Sequence, residues 1–368
     1  MVTDAGQSRV RAGLGYLAAR SMLVGMPRSA RVIMLSALVL LAAGIVAALA
    51  AASEGAVPDA GPAPTTPGAT SPEASAAPTS TAPATTAPLV FPAIAGNGEV
   101  RAVRTPTGVV LPVTGGEPGA WQVLTPCAAA AVVPGEPLLG AHVVLDPGHG
   151  GGEPGAVGPT GLREADLNLD VARRVRSLLE AEGATVALTR DADVRLTLAT
   201  RAAIAKALSP VAFLSIHHNA APVGRSTVPG SELYHQLADP ESKRLAGLLW
   251  EELQAHLAPF GTDWATGDQP GARARRSTGT GDDYYGILRN AQGVPAVLTE
   301  AAYLSYPPEN ALLETEAFRQ AEAQAIADAV LRLVRTPDPG SGFVPTKEAP
   351  TQAGRGGGSS GCVDPPLT

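Results

Sequence analysis

The chain has 368 residues, with 27 Lys and Arg against 34 Asp and Glu for a formal net charge of -7. With a pI near 5.4 it carries no basic footprint for nucleic acid, and that partner class is excluded. Its 41 Gly and 34 Pro gather in the flanks, which leaves one packed core of about 195 residues.

In chain order, residues 1–31 are basic, with Arg9, Arg11, Arg20, Arg28 and Arg31 ahead of an uncharged stretch over 32–52. At about 1.5 Å per residue that stretch is long enough to cross a bilayer, and the arginine excess puts the N-terminus on the cytoplasmic side. It reads as a signal anchor or as a long signal peptide, since the small residues around Ala48-Leu49-Ala50 also suit cleavage. Either way the rest of the chain is extracytoplasmic, anchored in the membrane by residues 32–52 or secreted. Residues 53–95 are nearly all Ala, Pro, Thr, Ser and Gly, too poor in apolar surface to offset ordering entropy, and are expected to be a disordered linker.

Residues 96–140 hold strand-like pieces, Thr107–Pro112 and Trp121–Thr125, expected to form a small β element without assigned chemistry. From 141 to 335 strands and helices alternate. His142–Asp146 is a short apolar strand ending in Pro147 and Gly148. Leu167, Val171, Val175, Leu178 and Leu179 share one helical face, and Gly183 closes that helix before a strand over 185–188. Further helices are expected over 201–208, 241–257 and 316–333. Strands are expected over 211–216, 232–234 and 296–299, with a polar, glycine-rich loop over 259–283. Such a βα series predicts a single three-layer α/β sandwich, with a mainly parallel or mixed sheet and helices on both faces. The tail, 336–368, is again rich in Pro and Gly and is expected to be disordered. In an exported chain Cys127 and Cys362 can pair across the packed core, though a free thiol or an intermolecular bridge fits equally well.

Four residues stand out by position. His149, His217 and Glu300 each follow an apolar strand, and Glu164 stands at a helix entrance. In open α/β sheets ligands bind outside the carboxyl ends of strands, so these groups can converge, although spacing alone does not bring them together. Two imidazoles and a carboxylate leave a fourth position open on tetrahedral zinc, as in hydrolytic rather than structural sites. Blander readings compete: Glu164 alone would be a helix-dipole residue. His142, His235 and His256 read as structural, as does Arg190. Asn219 and Glu232 are candidates for substrate contact, with loop capping and a solvated strand position as their alternatives. Glu300 is harder to explain blandly, because a carboxylate after an apolar strand needs a partner.

The segments LDPGHGG (Leu145–Gly151), GLREADLNL (Gly161–Leu169), SIHHNA (Ser215–Ala220) and VPAVLTEAAYLS (Val294–Ser305) resemble, in order and separation, the zinc-dependent N-acetylmuramoyl-L-alanine amidases, the type 3 group of cell-wall amidases. The resemblance covers about residues 141–335. It implies that His149, Glu164 and His217 hold one Zn2+, that Glu300 is the catalytic carboxylate, and that peptidoglycan is the substrate, cut between the lactyl group of N-acetylmuramic acid and L-alanine. A protein activator is compatible with this reading but has no sequence signal. The chain departs from the family pattern at Ala302 and Tyr306, where Gly and Asn are usual, and at His218, where a small residue is usual. Neighbours on a strand face opposite ways, which leaves the ligand role to His217. Two alternatives stand beside the amidase: a zinc-binding but inactive wall-binding or regulatory module, and a peptidase acting within the stem peptide.

Overall fold

The structure, a computed structural model, describes residues 91–94, 98–221, 230–261, 270–350 and 357–368. The expected cytoplasmic segment, membrane or signal segment and nearly all of the linker lie outside the described residues. Among the described residues no helix is long and apolar enough to cross a membrane.

Five short strands open the described fold: β1 (Ala102–Arg104), β2 (Val110–Glu117), β3 (Ala120–Leu124), β4 (Ala130–Val133) and β5 (Glu136–Leu138). They form an antiparallel sheet in the order β4-β3-β2-β1-β5. Its own small core is Val103, Val109, Leu111, Trp121, Val123 and Val133. A bulge between Val113 and Gly115 shifts the β2–β3 register. Gly116 (φ 96°) sits where a Cβ would lie 2.4 Å from Ala120 O, so only glycine lets the strands close there.

The larger sheet contains β6 (Val143–Pro147), β7 (Val186–Leu188), β8 (Ala212–Asn219), β9 (Glu232–His235), β10 (Gly271–Arg273) and β12 (Ala296–Tyr303). Its order is β10-β9-β12-β8-β6-β7. All neighbouring pairs are parallel except β9 with β12, so the sheet is mixed, with one reversal. Alternation sends successive side chains to opposite faces. Val143, Leu145, Leu214 and Ile216 pack beneath α1 (Glu164–Ala181), α3 (Pro240–Leu257) and α6 (Glu316–Arg335). Val144, Phe213, Tyr234 and Leu298 pack on the other face, against α2 (Leu198–Leu208) and α4 (Gly286–Asn290). Ala102 and Val110 of the small sheet join this second core, so the β element is packed against the larger sheet.

Caps set the helix boundaries. Helix α2 starts three residues before its expected Arg201 because Thr197 Oγ1 accepts from Thr200 N–H, a favourable N-cap. Asp239 caps α3 ahead of Pro240, and Thr315 caps α6. Helices α4 and α5 (Pro307–Leu313) are too short for periodicity to reveal.

The expectation of a disordered tail is corrected for residues 336–350 and 357–368. Arg244 donates to the carbonyls of Leu333 and Asp338. Phe343 lies against Gly247 of α3, where a Cβ would come 2.6 Å from its ring. Strand β13 (Lys347–Ala349) pairs with β11 (Arg275–Ser277). Cys362 is disulfide-bonded to Cys127, with Cα atoms 5.5 Å apart. A Pro- and Gly-rich segment needs no core of its own when arginines and a neighbouring helix supply its contacts.

Candidate metal centre

His149 follows β6 in an αL backbone conformation (φ 62°), which is uncommon outside glycine and is held by its surroundings. Two buried arginines provide the hold. Arg190 donates to the carbonyls of Pro147 (2.9 Å), Gly148 (2.9 Å) and Ala165 (2.8 Å). Arg201 donates to Pro147 O (2.8 Å) and His149 O (2.6 Å) and is ion-paired with buried Asp146 at 2.7 Å. Asp146 also accepts from Thr189 and Ser215. Burial opposes ionisation of Asp146, but Arg201 and these donors outweigh it and hold the carboxyl below its usual range. Burial and the neighbouring Arg201 charge bring Arg190 down to about 10, still protonated at neutral pH. The structural reading of Arg190 matches these contacts: it shapes the turn that presents His149.

Glu164 is the first residue of α1 and is 5 % exposed. Its Oε2 lies 3.2 Å from His149 Nε2, and its Oε1 lies 3.0 Å from His217 Nδ1. These separations are close to the roughly 3.3 Å between donors on a tetrahedral zinc with bonds of about 2.0–2.1 Å. All three donor atoms lie within 4.8 Å of one another. Two glycines make room. A Cβ on Gly148 would come 2.2 Å from the His217 ring, and one on Gly155 would come 2.5 Å from Glu164 Oε2. Burial pushes His217 below its usual pKa, which favours the neutral imidazole a metal requires. For Glu164 burial works against ionisation, yet hydrogen bonds and charge from His149 and His217 hold it well below the carboxylate range. The donor set and its clearance fit a zinc ion.

Register places Glu300 of β12 beside His217 of β8 and opposite Glu232 of β9, all on one face of the sheet. The two carboxylates are unequal. Glu232 accepts from Tyr234 Oη (2.6 Å), Asn219 Nδ2 (3.0 Å) and Tyr303 Oη (3.1 Å). Glu300 Oε2 is buried with no hydrogen-bond partner. Burial, then the charges of Glu164 and Glu232, push the Glu300 carboxyl well above its usual range. A carboxylate oxygen buried without a donor is costly to maintain, and beside a convergent donor set it marks a site that expects another group.

Glu232 is 5 % exposed, which corrects the solvated-strand alternative. Asn219 and Glu232, the candidates for substrate contact, are bonded to each other. Tyr234 and Tyr303, which complete the ring of donors around Glu232, carry no sequence signal because a strand tyrosine reads as ordinary core. His218 points to the reverse face. Its Nδ1 lies 2.8 Å from Asn168 Oδ1 and its Nε2 lies 3.0 Å from Glu322 Oε2, both buried. The departure at Ala302 falls in the core beside the register shift between Glu300 and Tyr303, and Tyr306 stands at the N-cap position of α5 without a side-chain cap bond. Among the described residues Glu252, His256 and Asp328 form another group of potential ligands. There Arg332 already pairs with Glu252 at 2.7 Å. His142 sits between Pro92 O and Thr185 N–H.

A family model described as N-acetylmuramoyl-L-alanine amidase (Amidase_3) matches residues 143–332. AmiC of Neisseria meningitidis, described as an N-acetylmuramoyl-L-alanine amidase, is 31% identical over 224 residues, covering 53% of this chain and 53% of AmiC. The uncharacterised protein YqiI of Bacillus subtilis is 34% identical over 215 residues, covering 58% of this chain and 92% of YqiI. The solved amidase AmiC2 of Nostoc punctiforme is 31% identical, with a TM-score of 0.45, over 53% of this chain and 97% of that one. The chain thus spans about half the length of AmiC.

Proposed function

The chain belongs to the N-acetylmuramoyl-L-alanine amidase family Amidase_3, and on that premise we propose that it is a zinc-dependent hydrolase of peptidoglycan. The bond cut is the amide joining the lactyl group of N-acetylmuramic acid to L-alanine. The observation that carries this reading is an unsatisfied carboxylate, Glu300, beside a convergent His149–Glu164–His217 donor set. A module that only binds has no use for an unsatisfied carboxylate oxygen beside its ligands.

In this reading His149, Glu164 and His217 hold the metal and Glu300 handles the protons. Zinc bound there supplies Lewis acidity at the scissile carbonyl, acidifies water, and offsets the carboxylate charge around Glu300. Glu300 takes the proton of the attacking water and returns it to the departing L-alanine nitrogen, so one group serves both steps. Glu232, satisfied by its three donors, keeps the anionic neighbour of Glu300 at a fixed distance. Asn219, bonded to Glu232, closes that side of the site. The activity is exerted outside the cytoplasmic membrane, with residues 32–52 acting either as anchor or as cleaved signal.

The test is digestion of purified peptidoglycan by the full chain, followed by mass spectrometry of the soluble products. Release of stem peptides with a free L-alanine amino terminus, abolished by a chelator and restored by Zn2+, is the expected result. Products cut within the stem would assign a peptidase instead, and metal-bound protein that releases nothing would refute hydrolysis.

A further inference from the structure

The C-terminal strap, residues 357–368, lies beyond the residues matched by the family, yet it returns to the metal-binding end of the fold. Its backbone is held at several points. Leu198 N–H donates to Gly357 O at 2.9 Å, and Arg195 donates to Gly358 O at 3.0 Å and Ser360 O at 3.2 Å. Cys362 is bonded to Cys127, which follows β3 of the small sheet, and Cys127 N–H donates to Asp364 Oδ1 at 2.7 Å. Leu367 then packs against the small-sheet core. Arg195 is also ion-paired with Glu153 at 2.7 Å, so one guanidinium ties the strap to the glycine-rich loop that follows His149.

The strap walls a cavity of about 480 Å³, with Ser360, Val363 and Pro365 on one side and Asp193 and Val194 on another. Gly152 and Glu153 line both this cavity and the one of about 450 Å³ that holds His149 and His217, so the two compartments adjoin. Its charges are already matched. Glu153 is paired with Arg195, while Asp193 accepts from Gly151 N–H at 2.7 Å and faces Arg163 at 3.4 Å. Val363 is 82% exposed and, with Pro365 and Val194, offers apolar surface beside backbone peptide groups. A compartment whose charged groups already have partners, with apolar patches and peptide groups, suits an uncharged ring bearing hydroxyl and acetamido groups. It offers no free cation to the carboxylates of a peptide stem.

We propose that this strap-walled cavity is a binding subsite for the amino-sugar chain of the substrate, and that the Cys127–Cys362 bond holds its wall in place. Calling that sugar part of a substrate rests on the amidase reading; the binding of the sugar does not.

The experiment titrates the full chain with a peptide-free tetramer of N-acetylglucosamine by calorimetry, and measures hydrolysis of polymeric peptidoglycan in parallel. Val363→Trp fills the cavity from an exposed position and leaves the core untouched. It is expected to weaken tetramer binding by about tenfold or more, equivalent to roughly 1.4 kcal/mol. The double variant Cys127→Ser with Cys362→Ser is expected to raise KM for the polymer by about tenfold with kcat unchanged. Binding that is lost in Val363→Trp supports the subsite even in a protein that hydrolyses nothing, in which case the amidase reading alone fails. No tetramer binding by the parent chain, or equal binding by Val363→Trp, overturns the subsite. Faster hydrolysis after removal of the disulfide also overturns it, since the strap would then be a barrier.

Discussion

His217 and His218 are neighbours on one strand, and the two faces they serve are built to opposite rules. On the reverse face His218, Asn168 and Glu322 form a buried chain of hydrogen bonds that reaches Gly148 O through Asn168 Nδ2, and only Glu322 Oε1 in that chain lacks a partner. On the front face His149, Glu164, His217 and Glu300 are gathered with less support, and Glu300 Oε2 has no donor. Polar groups that bond mainly one another rigidify a fold, whereas a group left unsatisfied beside convergent ligands signals chemistry still to be supplied.

The strongest way to break the contrast is to remove a ligand. His217→Ala is expected to abolish peptidoglycan hydrolysis and zinc retention, read by metal analysis of the purified protein, while the reverse-face network keeps the chain folded. Gly148→Ala should act similarly, because its new methyl would occupy the position of the His217 ring.

Next in size, Glu300→Gln is expected to lower kcat by about 10³–10⁴-fold with zinc still bound. Denaturant stability should be equal to or above that of the parent chain, since a neutral amide relieves the like-charge contact with Glu232 and Glu164. A marked loss of stability would mean that Glu300 is a structural group, and the proposed asymmetry between the two faces would fail.

The reverse face is tested by Glu322→Ala. Leaving His218 buried without its partner is expected to cost about 4 kcal/mol in urea unfolding. Turnover per folded molecule should fall much less than in Glu300→Gln. A catalytic loss as deep as that of Glu300→Gln would merge the two faces into one functional unit.

A smaller, pH-dependent effect comes from Glu309 in α5, which accepts from Gly230 N–H and Tyr303 N–H behind the site. Burial pushes its carboxyl up to about 7 against those donors. Between its ordinary value of 4.5 and about 7 the folded chain holds a proton that the unfolded chain has released, so stability falls as pH rises through that window. The full span is on the order of 3 kcal/mol. Glu309→Gln should flatten the change in unfolding midpoint between pH 4.5 and 7.5, and an unaltered profile would remove Glu309 as its source.

The sequence by itself determined the elements that carry long apolar periodicity, the α/β class, and the four strand-tip and helix-entrance residues. Strand tips are legible because an apolar run followed by Pro147-Gly148 or by His217-His218-Asn219 leaves few other places for the polar group. The family resemblance pointed to His217 as the ligand, and strand alternation then set His218 on the opposite face. Other features lie in register and long-range packing, which leave no local trace. The antiparallel reversal between β9 and β12 sets Glu232 opposite Glu300. Arg190 and Arg201 bond carbonyls of the His149 turn from about 40 to 55 residues away in sequence, contacts that no window of residues reveals. The order of the tail was invisible for the same reason. Its Pro and Gly predict no core of their own, and only the tertiary fold supplies the arginines, the helix face and the second cysteine that hold it.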